Sequence, residues 1–165
     1  MLQKKICMLG SFSVGKTSLV RRFVESIFSD RYLTTVGVKI EKKTLRLGDQ
    51  ELTLMLWDLY GEDKFQKIQM SYLRGASGYL LVADGTRPAT LDKAIAIKEE
   101  AEQQIGAVRF VVALNKCDLA DQWAVSAERE TEMKGHGWNV VRTSAKTGEG
   151  VEQAFETLVK AMLAP

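Results

Sequence analysis

Eight consecutive residues carry the plainest chemistry in the sequence: Gly10-Ser11-Phe12-Ser13-Val14-Gly15-Lys16-Thr17 matches the pattern G-x-x-x-x-G-K-[ST]. Glycines let such a loop curl until successive backbone N–H groups face one concavity. The start of a following helix adds positive potential, and Lys16 supplies a point charge for the β- and γ-phosphates of a nucleotide. Thr17 then offers a hydroxyl to Mg²⁺. A glycine-rich turn with a surface lysine is the plain structural alternative. The loop alone implies a nucleoside triphosphate without naming base or reaction, because kinases and many ATPases carry it too. A second stretch, Asn115-Lys116-Cys117-Asp118, bears on the base. The Asp118 carboxylate only accepts hydrogen bonds, so it can take both the ring N–H and the exocyclic amine of guanine; adenine offers no such paired donors. An Asn/Asp-rich turn after a strand is the alternative there.

Both stretches need a sheet behind them, and the hydrophobic pattern supplies one. Short β-branched and aliphatic runs alternate with longer amphipathic ones, the mark of βα units winding a parallel sheet. Strands are predicted over residues 4–9, 38–47, 51–57, 79–83, 108–114 and 139–142, and helices over 17–28, 89–104, 126–134 and 151–163. Gly48-Asp49-Gln50 separates the second and third strands by so little that they form an antiparallel hairpin. The expected fold is a three-layer α/β/α sandwich on a six-stranded, mostly parallel sheet with one antiparallel strand. The first motif then leaves one strand and opens a helix. The second lies at the C-terminal end of another strand, where open α/β sheets place ligands.

Composition narrows the classes. The 165 residues suit one domain spanning 1–165, and 45% hydrophobic with 27% charged residues is ordinary globular usage. Lys+Arg 23 against Asp+Glu 21 leaves a formal charge of +2, too balanced for phosphate-backbone binding, so nucleic acid is not expected as a partner. Cys7 and Cys117 are read as lying in apolar, strand-like surroundings with no Cys or His at metal-ligand spacing. A reducing cytoplasm fits. No apolar run approaches the length of a membrane span, and no C-terminal Cys box or polybasic stretch predicts a lipid anchor.

The loop at residues 10–17, the tetrad at 115–118 and Thr143-Ser144-Ala145-Lys146 together resemble the Ras superfamily of small GTPases, along the whole chain and with Rab-like features. The resemblance implies a GTP/GDP-binding switch that needs Mg²⁺. Ser13, Val14, Gly15, Lys16, Thr17 and Ser18 would meet the phosphates. Asn115 would brace the phosphate loop, Lys116 pack along the base and Asp118 read guanine, with Leu119 beside it. Ala145 would offer a backbone N–H to the guanine oxygen, and Ser144 and Lys146 support that loop. Thr35 matches the threonine that reaches Mg²⁺ and the γ-phosphate, although Thr34 beside it leaves the register open. Asp58 would help to hold Mg²⁺ with Thr17 and Thr35, and Gly61 would sense the γ-phosphate. Phe28 falls where the family sets an aromatic against guanine, or is core; Tyr32 closes over the phosphates or faces solvent. Residues of roughly 30–40 and 59–75 would be switches I and II, through which effector, exchange-factor or activating proteins read a monomer. In switch II, Tyr60, Phe65, Ile68, Met70, Tyr72 and Leu73 are apolar, and about half should face the core.

Three residues depart from the pattern. Glu62 stands where the family usually has the Gln that orients the attacking water. An ionised Glu only accepts hydrogen bonds and adds charge beside a negative transition state, so slow hydrolysis is expected. Alternatively Glu62 faces solvent, or acts as a base with its pKa raised by the phosphates. Phe12 and Tyr60 are bulky where small residues are usual. They crowd the entry of a partner's arginine, or turn outward. Arg31, Arg74 and Arg87 are read as surface arginines, and His136 as exposed in a turn. The catalytic set is thus Lys16, Thr35, Gly61 and Glu62. The alternative function is a GTP-loaded scaffold with little hydrolysis. A small kinase is disfavoured, because no arginine-rich lid interrupts the sheet and the motifs at 115–118 and 143–146 would have no task.

Overall fold

The computed structural model describes residues 2–11, 13–25, 38–59 and 70–164, with the side chains of Val38 and Met70 outside the description. Among these residues the order is β1 (Leu2–Leu9), α1 (Lys16–Glu25), β2 (Val38–Leu47), β3 (Gln50–Leu59), β4 (Gly78–Asp84), α2 (Pro88–Ile105), β5 (Arg109–Asn115), α3 (Ala127–Gly135), β6 (Asn139–Arg142) and α4 (Val151–Leu163). Two short 3-10 turns, Met70–Leu73 and Ala120–Gln122, complete it. The six strands form one sheet in the order β2-β3-β1-β4-β5-β6. Only the β2–β3 pair is antiparallel. The expected fold class is therefore the observed one.

The central strands are buried on both faces, and their residues divide by parity. Ile6 and Met8 of β1 join Leu19, Phe23, Phe155 and Leu158 beneath α1 and α4; Cys7 and Leu9 join Leu91, Ala94, Ile97 and Met133 beneath α2 and α3. All seven residues of β4 are buried, at about 1.5–3 kcal/mol for each large apolar side chain. The rings of Phe23 and Phe155 stack 3.9 Å apart, tying α1 to α4. That contact fixes the helix whose first turn carries Lys16 and Thr17.

Strand ends differ from the pattern-based expectation wherever pairing extends them. β1 starts at Leu2, which pairs with Leu52. β3 runs on to Leu59, opposite Val38. The hairpin connection is shorter than the three residues expected, because Gln50 already pairs with Leu47. Gly48 makes this possible by taking φ 62, which costs a residue without Cβ little. The first helix ends at Glu25 within the described residues. Its predicted continuation to Phe28 lies outside them.

Cys7 is in the core as read, and burial pushes its thiol up to about 12, with Lys5 pulling weakly the other way. Cys117 corrects the reading. It sits in the turn after β5, partly exposed, because the strand closes at Asn115. Burial, followed by the charges of Glu149 and Asp118, still pushes that thiol up to about 11.

Candidate nucleotide site

The phosphate loop follows β1, the strand at the centre of the sheet, and α1 begins at Lys16, so the loop's backbone meets a helix N-terminus. Gly15 has φ 98, and a Cβ there would lie 2.3 Å from Asn115 Nδ2, so only glycine fits. Ser13 holds φ 66, a left-handed conformation that costs a residue with a Cβ about 1 kcal/mol or more. Lys16 is buried, at 7% exposure. Burial lowers its ammonium pKa, and the charge of Asp58 opposes the shift. Thr17 and Ser18 follow in the first turn of α1, both partly buried.

Asp58 reaches this end of the sheet from β3. It is 1% exposed, and Thr17 Oγ1 donates to its Oδ2 at 2.5 Å. A hydroxyl and a carboxylate side by side at a helix N-terminus are a hard, all-oxygen donor pair, the chemistry that Mg²⁺ takes. No cluster of three or more His, Cys, Asp or Glu side chains competes for a metal among the described residues.

The second motif is hydrogen-bonded into the first. Asn115 closes β5 in register with Asp84 of β4. Its Nδ2 donates to the Val14 carbonyl at 3.0 Å, and its Oδ1 accepts from Thr143 Oγ1 at 3.1 Å. Lys116, at φ 72, donates to the Ser13 carbonyl at 3.2 Å. One tetrad residue therefore grips Val14 and the next grips Ser13. Asp118 Oδ1 accepts from Ser144 Oγ at 2.8 Å, which fixes the carboxylate's orientation. Ser144 is fully buried, and its Oγ accepts in turn from the Thr147 N–H at 3.0 Å. Ala145 and Lys146 lie in that same turn, the former buried and the latter exposed. Leu119 N–H closes the tetrad's turn on the Lys116 carbonyl at 2.9 Å. Arg22 of α1 donates to the Thr147 carbonyl at 3.0 Å and so links the phosphate-side helix to this loop.

Ser13, Val14, Gly15, Lys16, Thr17, Ser18, Asp58, Asn115, Lys116, Asp118, Leu119, Ser144, Ala145 and Lys146 thus lie at the C-terminal ends of the parallel strands and in the segments that follow them. Phe28, Tyr32, Thr35, Gly61 and Glu62 lie outside the described residues, as do Phe12, Tyr60, Phe65 and Ile68. Of the other apolar positions expected in residues 59–75, Leu73 is fully buried and Tyr72 partly so, its ring 6.3 Å from Trp57.

Arg87 is a surface arginine, as read, and its guanidinium also binds Asp84 and the Ser13 carbonyl. Asp84 itself escaped notice, although an aspartate ending an apolar strand on the ligand side of such a sheet is a readable signal.

Comparison with known proteins agrees with this geometry. The model of the Ras family matches residues 5–164. The Ras-related protein Rab-10 of Caenorhabditis elegans is 35% identical over 165 residues, covering 97% of this chain and 81% of that protein. Human Ras-related proteins Rab-8B and Rab-3A are each 34% identical, over 94% of this chain and 76% and 71% of their own lengths.

Proposed function

The chain belongs to the Ras family of GTP-binding, GTP-hydrolysing switches, and from that premise we propose that this member turns over slowly and recognises guanine through Asp118. The observation that supports guanine recognition is the pair of bonds from Asn115 to Val14 and from Lys116 to Ser13, which link the tetrad at 115–118 to the loop at 10–17. In the proposed arrangement the loop N–H groups and Lys16 take the phosphates. Asp118, oriented by Ser144, takes the two donor groups of guanine, and Ala145 offers its N–H to the guanine oxygen. Catalysis is then positioning and electrostatics, with no covalent enzyme intermediate.

Thr17 and Asp58 would hold Mg²⁺, joined by Thr35. The ion would supply positive charge beside the β- and γ-phosphates. Gly61 would sense the γ-phosphate, Phe28 and Tyr32 would close on the nucleotide, and residues 1–165 would act as one monomeric domain. Loops held by contacts to one phosphate change order when hydrolysis removes it, and effector, exchange-factor and activating proteins would read that change at residues 30–40 and 59–75. Among the described residues no helix is long and apolar enough to cross a membrane.

Slow turnover rests on Glu62. A carboxylate there accepts from water but donates nothing to the phosphate oxygens. Glu62→Gln is expected to raise the single-turnover rate of GTP hydrolysis about tenfold, one well-placed hydrogen bond in the transition state. Phosphate release from pre-loaded protein measures it, and a rate no faster than the parent's would refute the role given to Glu62.

A further inference from the structure

Asp84 is 1% exposed at the end of β4, and both its oxygens are engaged. Oδ1 accepts from the Thr86 N–H at 2.8 Å and from Thr86 Oγ1 at 2.6 Å. Oδ2 meets two cations, Lys116 Nζ at 2.9 Å and Arg87 Nε at 2.9 Å. Burial pushes this carboxyl's pKa up, but the hydrogen bonds from Thr86, Lys116 and Arg87 together outweigh it and hold the group below its ordinary value. The carboxylate is thus a fixed, ionised post.

Both cations also reach the phosphate loop at one atom. Arg87 Nη2 donates to the Ser13 carbonyl at 2.8 Å and Lys116 Nζ donates to it at 3.2 Å. That carbonyl belongs to the residue held at φ 66, a conformation that persists only where its surroundings impose it. If the Ser13–Val14 peptide rotated, its N–H would turn relative to the concavity that the loop forms for phosphates. Lys116 is a single point donor. Arg87 is a planar fork whose Nε and Nη2 engage two acceptors at once, and the two cations need the shared carboxylate between them to sit so close.

We propose that Arg87, set on Asp84, is a positioning residue that clamps the phosphate loop at Ser13 and slows nucleotide release. The inference rests on the reading that this loop holds GTP and GDP. It gives Arg87 no contact with the nucleotide. It also explains why a side chain 47% exposed lies across the loop instead of extending into water.

The test is the release of N-methylanthraniloyl-GDP from the loaded protein, chased with excess unlabelled GDP at fixed Mg²⁺. Arg87→Ala is expected to release it about tenfold faster, one charge-assisted hydrogen bond lost while Lys116 remains. Arg87→Lys keeps the charge without the fork and should fall between. The preference for GDP over IDP should be unchanged in both, because it is assigned to Asp118 and Ser144. The nucleotide-free protein should lose less stability than the loaded protein, since Lys116 and Thr86 still bind Asp84 and Arg87's backbone bonds to Asp84 and Thr90 at the start of α2 do not depend on its side chain. Arg87→Gln gives the same readout should the alanine variant fold poorly. Release at the wild-type rate from a wild type that binds the probe would overturn the clamp alone. Failure of the wild type to bind it would overturn the nucleotide reading beneath it. A changed GDP/IDP preference, or an equal loss of stability with and without nucleotide, would mark Arg87 as merely structural.

Discussion

Asp118→Asn is expected to weaken GDP binding by about 10³-fold and to strengthen XDP binding by a comparable factor, since two charge-assisted hydrogen bonds contribute about 1.5–3 kcal/mol each. The carboxylate accepts twice and matches the two donors of guanine. Asparagine accepts once and donates once. It would turn a donor toward the exocyclic amine of guanine, but would meet the carbonyl that xanthine carries at that position. Ser144 Oγ, 2.8 Å from Asp118 Oδ1, can still donate to the asparagine oxygen, so the side chain keeps its place and the change is one of recognition. Titration of each nucleotide against wild type and variant reads both effects. Equal loss of GDP and XDP would mean that Asp118 supports the loop and does not read the base.

Lys16→Ala is expected to lose nucleotide affinity by about 10²–10³-fold, the scale of removing a charged donor from a water-poor phosphate site. The same substitution should leave the nucleotide-free protein no less stable. Lys16 is 7% exposed, and burial disfavours its charge more than Asp58 favours it. A cation placed at such a cost is held for a ligand. Its removal therefore lowers the stability of the loaded protein and not that of the empty one, which calorimetric melts with and without GDP would separate. A fall in stability without nucleotide, with affinity unchanged, would make Lys16 a structural lysine.

Contiguous motifs were the legible part of this site. Each places its functional groups within a few residues, so spacing alone carries the geometry, as in the run from Gly10 to Thr17. The central strands were legible for a similar reason. β4 and β5 are buried on both faces, which leaves a continuous apolar run in the sequence. The strand ends were not, because pairing with a neighbour decides them: Asn115 belongs to β5 only because Asp84 stands opposite.

Arg87 shows the limit most clearly. Its partner Ser13 is 74 residues away, and nothing near Arg87 distinguishes it from an arginine on any helix start. Only the adjacency of β4 and β1, which a strand list does not give, puts the turn after one beside the loop after the other. Asp84 completes the lesson. A buried acid predicts cationic partners on general grounds, so its place at a strand end was the observation from which both Arg87 and Lys116 could have been sought.

The central claim is that the chain binds guanine nucleotide and hydrolyses GTP, and the most direct measurement is to denature the freshly purified protein and identify by ion-exchange chromatography what it releases. Close to one equivalent of guanine nucleotide, mostly GDP, is expected, because even slow hydrolysis finishes within the hours of purification. Undiminished GTP would contradict hydrolysis and favour the GTP-loaded scaffold, and an adenine nucleotide would contradict the role given to Asp118.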